Sequence, residues 1–301
     1  MHLKDCLEEF IFDCECRHLS KGTLVNYRAQ ISFLIAYLAD RGITDADDVK
    51  PQHIRSFLKT KQDQGCKPHY INDLLKAHKT MFNYLEREEY IVKNPASKVS
   101  NVRQPKVIIE TFSEKEIKAM LNYHTDSDFR SVRNKTIIAM LFDTGVRCNE
   151  LVMMEPEDVA ADYIMVRFGK GNKERVVPKS AYLGKQLMRY LRVRQGYFSE
   201  KVLKHNNLFL SIRGKPLTGE VIARMLKDTA REVGVSQSIR VSPHTCRHTF
   251  AHMQLKNGLD VYSLSRLMGH VNISITQRYL QGIKDGDILR KSQHTSPLMN
   301  L

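Results

Sequence analysis

Residues Ser242 to Gly282 read S-P-H-T-C-R-H-T-F-A-H-M-Q-L-K-N-G-L-D-V-Y-S-L-S-R-L-M-G-H-V-N-I-S-I-T-Q-R-Y-L-Q-G, and the punctuation of this stretch predicts three short helices. Ser242 is a good N-cap, and Pro243 suits the first helical position, where its missing N–H costs nothing. His244 then falls in the first turn, where free N–H groups and the helix dipole favour an anion. Arg247 follows three residues later on the same face, so both side chains can address one ligand. Asn257-Gly258 closes this helix. A second apolar-periodic piece, Leu259 to Met268, turns Leu264, Leu267 and Met268 inward, stops at Gly269 and delivers His270. Asn272 can cap a third helix, which carries Tyr279. Two histidines, an arginine and a tyrosine drawn from three helices can surround a phosphate.

The rest of the chain supplies the setting. At 301 residues it can bury a sizeable core, and two medium domains suit that length. The composition, 42% hydrophobic and 27% charged, is that of a soluble globular protein. The longest strongly apolar run, Ile137 to Phe142, is far too short to span a membrane, and the N-terminus has no apolar signal core, so a cytosolic protein is expected. The net charge of +14 points to a polyanionic partner, most simply nucleic acid. The first hundred residues carry 15 Lys and Arg against 14 Asp and Glu, the remainder 32 against 19, which places the main phosphate-facing surface in the second part. Six cysteines without a C-x-x-C pair fit reduced thiols.

The first hundred residues predict four or five helices. Leu24, Tyr27, Ile31, Leu34, Ile35 and Leu38 form one 3.6-period stripe; Pro51 opens a helix with Ile54, Phe57 and Leu58 inward; Pro68 opens a long one whose inner face includes His78, read as a core residue. Periodicity fails from about Val92 to Thr111, where Asn94-Pro95 and Gln104-Pro105 stand. The expected organisation is a helical N-terminal domain over 1–95, a linker over 96–111 and a second domain over 112–301. That second domain opens with a capping box, Ser113 and Glu116. An apolar helix around Ile137 to Phe142 breaks at Thr144-Gly145, just before Arg147 and Glu150. Tyr163 to Phe168 and Lys173 to Pro178 read as a hairpin with Lys170 at its tip. A helix around Leu183 to Leu191, a short strand Leu208 to Ser211, and a helix from Thr218 to Gly234 follow. The fold class is mainly α, with a small antiparallel sheet in the second, mixed α/β domain.

His244, His248 and His252 recur at i+4, a zinc-like spacing, but the glutamate a zinc hydrolase needs in such a motif is replaced by Thr245. His248 and His252 are therefore read as structural. By contrast T-G-V-R-C-N-E-L, G-K-G-N-K-E-R, H-T-C-R-H-T, L-M-G-H and T-Q-R-Y-L occur in this order. Together they resemble the tyrosine recombinase (phage integrase) family over essentially the whole chain, in its simple Xer-like form without an arm-site DNA-binding domain. The helical first domain looks like that family's core-binding half, which with the second domain would form a clamp on DNA.

The resemblance implies a role for each matching position. Tyr279 would attack a DNA phosphodiester to give a 3′-phosphotyrosine and a free 5′-hydroxyl. Arg147 and Arg247 would clamp the non-bridging oxygens, His244 would assist proton handling, and His270 would hydrogen-bond the phosphate. Lys170 would protonate the departing 5′-oxygen, with Lys173 on the same hairpin as the alternative acid. Glu150 is either an orienter of this group or an ordinary acid at a helix start.

The chemistry is consistent with these roles. A phenol near pKa 10 must lose its proton to attack, and adjacent guanidinium groups favour the phenolate. Arginine stays charged, and its planar fork binds phosphate oxygens in pairs. Two of them can hold the charge of a phosphorane, so neither metal nor cofactor is called for. The implied partners are double-stranded DNA carrying specific recombination sites, and further copies of the chain in a tetrameric synapse that passes through a Holliday junction. The tail beyond Tyr279, with Ile283, Ile288, Leu289 and Leu298, is expected to dock on a neighbouring copy. The resemblance is shared by enzymes that integrate and excise mobile elements, resolve DNA dimers or invert DNA. Two other readings stand beside it: a type IB topoisomerase-like enzyme that reseals the same strand, and a catalytically silent DNA-binding regulator.

Overall fold

The structure, a computed structural model, describes residues 1–105, 110–167, 174–270, 272–277 and 279. The chain divides into two compact units, Met1–Lys106 and Val107–Leu301. No described helix is long and apolar enough to cross a membrane.

The first unit is built on α1 (Leu3–Cys16), α2 (Lys21–Ala39), α3 (Pro51–Asp63) and α4 (Pro68–Arg87). Ser20 caps α2 through its side chain, and prolines open α3 and α4. The apolar stripes meet in one core that holds Phe10, Ile31, Leu34, Phe57, Leu74 and Phe82. His78 is fully buried there, edge-on to Phe57 at 5.4 Å, with Nε2 3.2 Å from the Gln30 carbonyl. Burial pushes its pKa down to about 4, so it is a neutral core residue.

The aperiodic stretch after α4 is not loose over its whole length. Ile91, Ala96 and Val99 are buried in the first core. Asn94 ties the chain to α4 by donating to Asn83 Oδ1 at 2.6 Å and to the Lys79 carbonyl, while its own Oδ1 accepts the Ala96 N–H at 2.7 Å. Asn72 brackets the backbone N–H and C=O of Val102. Much of the segment expected as linker over 96–111 thus packs as part of the first unit. Its side-chain clamps replace the backbone ladder that helical periodicity would have signalled.

Among its described residues the second unit is mostly helical with one two-stranded antiparallel sheet. It runs α5 (Glu114–Tyr123), α6 (Phe129–Thr144), α7 (Cys148–Met153), β1 (Tyr163–Val166), β2 (Arg175–Pro178), α8 (Ala181–Tyr197), α9 (Gly219–Glu232), α10 (Pro243–Lys256), α11 (Val261–Met268) and α12 (Ile273–Gln277). Ser113 and Glu116 form the expected capping box, and Asp128, Ser180, Thr218 and Ser242 cap α6, α8, α9 and α10. Helix α6 is buried almost all round, packing on α8 and α10, because Val132, Ile137, Ile138, Met140 and Leu141 cover more than one face.

Strands β1 and β2 pair with Ile164 opposite Val177 and Met165 opposite Val176. The hairpin tip, 168–173 with Lys170 and Lys173, lies outside the described residues. The strand expected at Leu208 to Ser211 is a buried apolar run with a single bridge, Leu210 to Pro216. Leu210 and Pro216 stand opposite one another as a non-hydrogen-bonded pair, flanked by Ser211 N–H to the Lys215 carbonyl at 2.8 Å and Leu217 N–H to the Phe209 carbonyl at 3.4 Å, and among the described residues the pairing goes no further.

Candidate active site

Two left-handed glycines frame the site. Gly145 ends α6 at φ +60° and Gly269 ends α11 at φ +64°. At Gly145 a Cβ would come within 2.3 Å of the Phe250 ring, so both the backbone and the packing require glycine. Each turn delivers a site residue: Arg147 as N-cap of α7, and His270 just past α11.

Arg247, on α10 and only 2% exposed, joins the two turns. Its Nη1 donates to the Gly145 carbonyl at 2.6 Å and its Nη2 to the Met268 carbonyl at 2.6 Å, so one guanidinium satisfies the otherwise free ends of α6 and α11. Nη2 also lies 3.0 Å from His270 Nε2. An arginine N–H only donates, so Nε2 accepts, and the ring proton sits on Nδ1, 2.7 Å from Thr276 Oγ1. Burial, with Arg147 and Arg175 adding to it, pushes Arg247 down to about 10, where it remains a cation at neutral pH. Burial and then the charges of Arg247, Arg147 and Arg175 push His270 down to about 4, consistent with a neutral ring that accepts from arginine.

Arg147 is more open, its side chain 31% exposed. Its backbone N–H and Nη1 donate to the two oxygens of Glu150 at 2.7 and 2.8 Å, and its Nη2 donates to the Gly269 carbonyl at 3.2 Å. Glu150 is almost fully buried. Burial alone would raise its pKa, but the Arg175 hydrogen bonds and charge, together with the Arg147 N–H, outweigh it and hold the carboxyl below its ordinary value. Glu150 is therefore an ionised anchor for two arginines.

His244 sits exposed in the first turn of α10, and its ring meets that of His248 edge-on at 4.4 Å. His248 in turn packs against Tyr279 at 5.0 Å, and Tyr279 stacks over His270 at 6.2 Å. Burial, then Arg247 and Arg147, lower His244; burial, then His244 and Arg247, push His248 down to about 4. His248 Nδ1 is buried and has no hydrogen-bond partner among the described residues. Tyr279 follows α12, two residues past its end, and also packs against the small cluster of Phe250, Leu255, Leu264 and Met268.

Of the residues singled out in the sequence, Arg147, His244, Arg247, His270 and Tyr279 come together here. Lys170 lies outside the described residues. Two further members carry little signal in the sequence. His248 stands between His244 and Tyr279, and only its i+4 spacing from His244 hints at that. Arg175 is the last letter of G-K-G-N-K-E-R, and its place in a hairpin strand is the one sign of a fixed position. Among the described residues the cluster holds three guanidinium groups against one carboxylate, a surplus of positive charge suited to an anion.

Residues 110–284 match the phage integrase family, and residues 9–89 match the N-terminal SAM-like domain of phage integrases. The chain is 30% identical over 265 residues to tyrosine recombinase XerD of Staphylococcus saprophyticus, covering 87% of this chain and 88% of that protein, and XerD of Staphylococcus haemolyticus matches to the same extent. Among solved structures, XerH site-specific recombinase bound to palindromic difH shares the fold at a TM-score of 0.75 and 19% identity, over 94% of this chain and 81% of that one. The XerA recombinase aligns at 0.54 and 23% identity, over 98% and 99%. The chain belongs to the phage integrase family and is a tyrosine-type, site-specific recombinase.

Proposed function

We propose that the chain cleaves and rejoins double-stranded DNA at specific sites through Tyr279. The observation that carries this reading is the packing of Tyr279 between His248 and His270, with His270 held in turn by Arg247. Arg147 and Arg247 bind the two non-bridging oxygens of the scissile phosphate, His270 gives up the bond it accepts from Arg247 and donates to the phosphate through an Nε2 that the bound anion favours in protonated form, and His244 assists proton transfer. The Tyr279 oxygen, losing its proton, bonds to phosphorus as the bond to the 5′-oxygen breaks, and Lys170 gives that oxygen a proton. The product is a 3′-phosphotyrosine and a 5′-hydroxyl. One ester replaces another, so the 5′-hydroxyl of a partner strand can reverse the step without ATP. Arginines suit the work because the transition state concentrates charge on equatorial oxygens that a fixed fork can meet.

In this reading the helical first unit is a DNA-binding domain and the second is the catalytic unit. The excess of basic residues beyond residue 100 supports the second unit as the main phosphate-facing surface. Four copies assemble on two sites in the cytoplasm, exchange strands through a Holliday junction, and dock their C-terminal tails on neighbours.

A nicked suicide duplex that carries the target site provides the test. Wild-type protein forms a covalent adduct that EDTA does not suppress, and Tyr279→Phe forms none. An adduct formed by Tyr279→Phe would overturn the assignment. Exchange of strands between two labelled duplexes separates recombination from resealing of the same strand.

A further inference from the structure

Arg175 contacts three of the segments that build the site. From β2 its Nη1 and Nη2 grip the Glu150 carboxylate as a fork, at 2.9 Å to Oε1 and 2.7 Å to Oε2. Its Nε donates to the Leu267 carbonyl at 2.8 Å, in the last turn of α11. The same side chain lies over Gly269, where a Cβ would stand 3.1 Å from Arg175 Cδ. Its side chain is 10% exposed, so the whole arrangement is largely shielded from water.

The division of labour on Glu150 is uneven. Arg175 takes both oxygens, whereas the Arg147 guanidinium makes one hydrogen bond, through Nη1 to Oε1. A buried carboxylate next to one arginine forms a neutral pair and draws in that arginine's full fork, because an unfilled buried anion is costly. With Arg175 in place, Glu150 is already neutralised, and the group retains one net positive charge on the more exposed Arg147.

We propose that Arg175 is a positioning residue for strand cleavage: it saturates the Glu150 carboxylate, so the remaining N–H groups of Arg147 and its charge stay available to the scissile phosphate. It also pins the hairpin strand to the end of α11 that leads into His270. The inference rests on the reading of Arg147 as a phosphate clamp. A cation placed to satisfy an internal carboxylate, rather than the substrate, sets how much charge the clamp delivers.

The experiment measures single-turnover adduct formation on the nicked duplex at saturating DNA, alongside DNA affinity and thermal melting. Arg175→Gln is expected to slow cleavage about 100-fold while DNA affinity changes about threefold or less, the pattern of a misplaced group that acts in the transition state. Arg175→Lys, which keeps the charge but not the fork, stays at least about tenfold slow and carries the test should the glutamine variant fail to fold. The double variant Glu150→Gln/Arg175→Gln is expected to cleave about tenfold faster than Arg175→Gln alone, because no bare carboxylate then competes for Arg147. Wild-type cleavage rates in Arg175→Gln and Arg175→Lys would overturn the proposal, as would a double variant slower than Arg175→Gln. Failure of wild-type protein to form any adduct would instead remove the recombinase reading of the site.

Discussion

The Arg247 guanidinium donates to His270 Nε2 at 3.0 Å, which fixes the tautomer of the histidine and passes its proton to the side facing Thr276. At neutral pH the ¹⁵N spectrum of His270 should show a protonated Nδ1 and an unprotonated Nε2. Thr276→Val leaves that Nδ1–H without its acceptor and should cost about 1–3 kcal/mol of stability, whereas Thr276→Ser should be close to wild type. A protonated Nε2 in the unliganded protein would contradict the geometry.

The two arginines proposed as phosphate clamps should fail in different ways. Arg247 is buried and holds the terminal carbonyls of α6 and α11, so Arg247→Ala should abolish adduct formation and also lower stability by about 2–4 kcal/mol. Arg147 is partly open, and Arg147→Ala should abolish adduct formation with a smaller change in melting temperature. Equal melting shifts for the two variants would contradict the structural role assigned to Arg247.

Gly145 offers a steric test with an internal control. Gly42 has φ +73° and open space where a Cβ would stand, so Gly42→Ala should cost only the left-handed strain, about 1 kcal/mol. At Gly145 the same strain is joined by a clash with Phe250, and Gly145→Ala should cost about 2–4 kcal/mol. Chemical denaturation of both variants measures the difference, and equal costs would show that Phe250 yields freely.

His78 predicts a pH signature in the first unit. Its folded pKa is depressed to about 4, below the unfolded value near 6.5, so the stability it contributes is complete above pH 6.5 and lost as pH falls toward 4. The loss should reach about 3 kcal/mol by pH 4. Urea unfolding of His78→Gln and wild type across this range should show a flatter profile in the variant; parallel profiles would mean that His78 titrates normally in the folded chain.

Much of this protein is legible in its sequence because caps and periodicity are local. Ser113 with Glu116, Thr218 and Ser242 mark helix starts that the structure retains, and Gly269 marks a helix end. Arg147, His244, Arg247, His270 and Tyr279 can be named from ordered strings alone. Chain-local information cannot choose the partners of charged side chains. Glu150 reads equally well as an orienter or a helix-start acid, and only the approach of β2 makes it the buried counter-ion of Arg147 and Arg175. His248 reads as structural because Thr245 stands where a zinc motif needs its glutamate, yet the fold sets its ring between His244 and Tyr279. The apolar run at Leu208 to Ser211 reads as a strand because burial and β-pairing leave the same mark on a sequence. The sequence by itself determined the helices, the family and the candidate reacting groups, since these follow from local backbone preference and residue chemistry. Tertiary structure decided which carbonyls and carboxylates occupy each arginine, because hydrogen bonds and charge balance depend on groups that meet only when distant segments pack together.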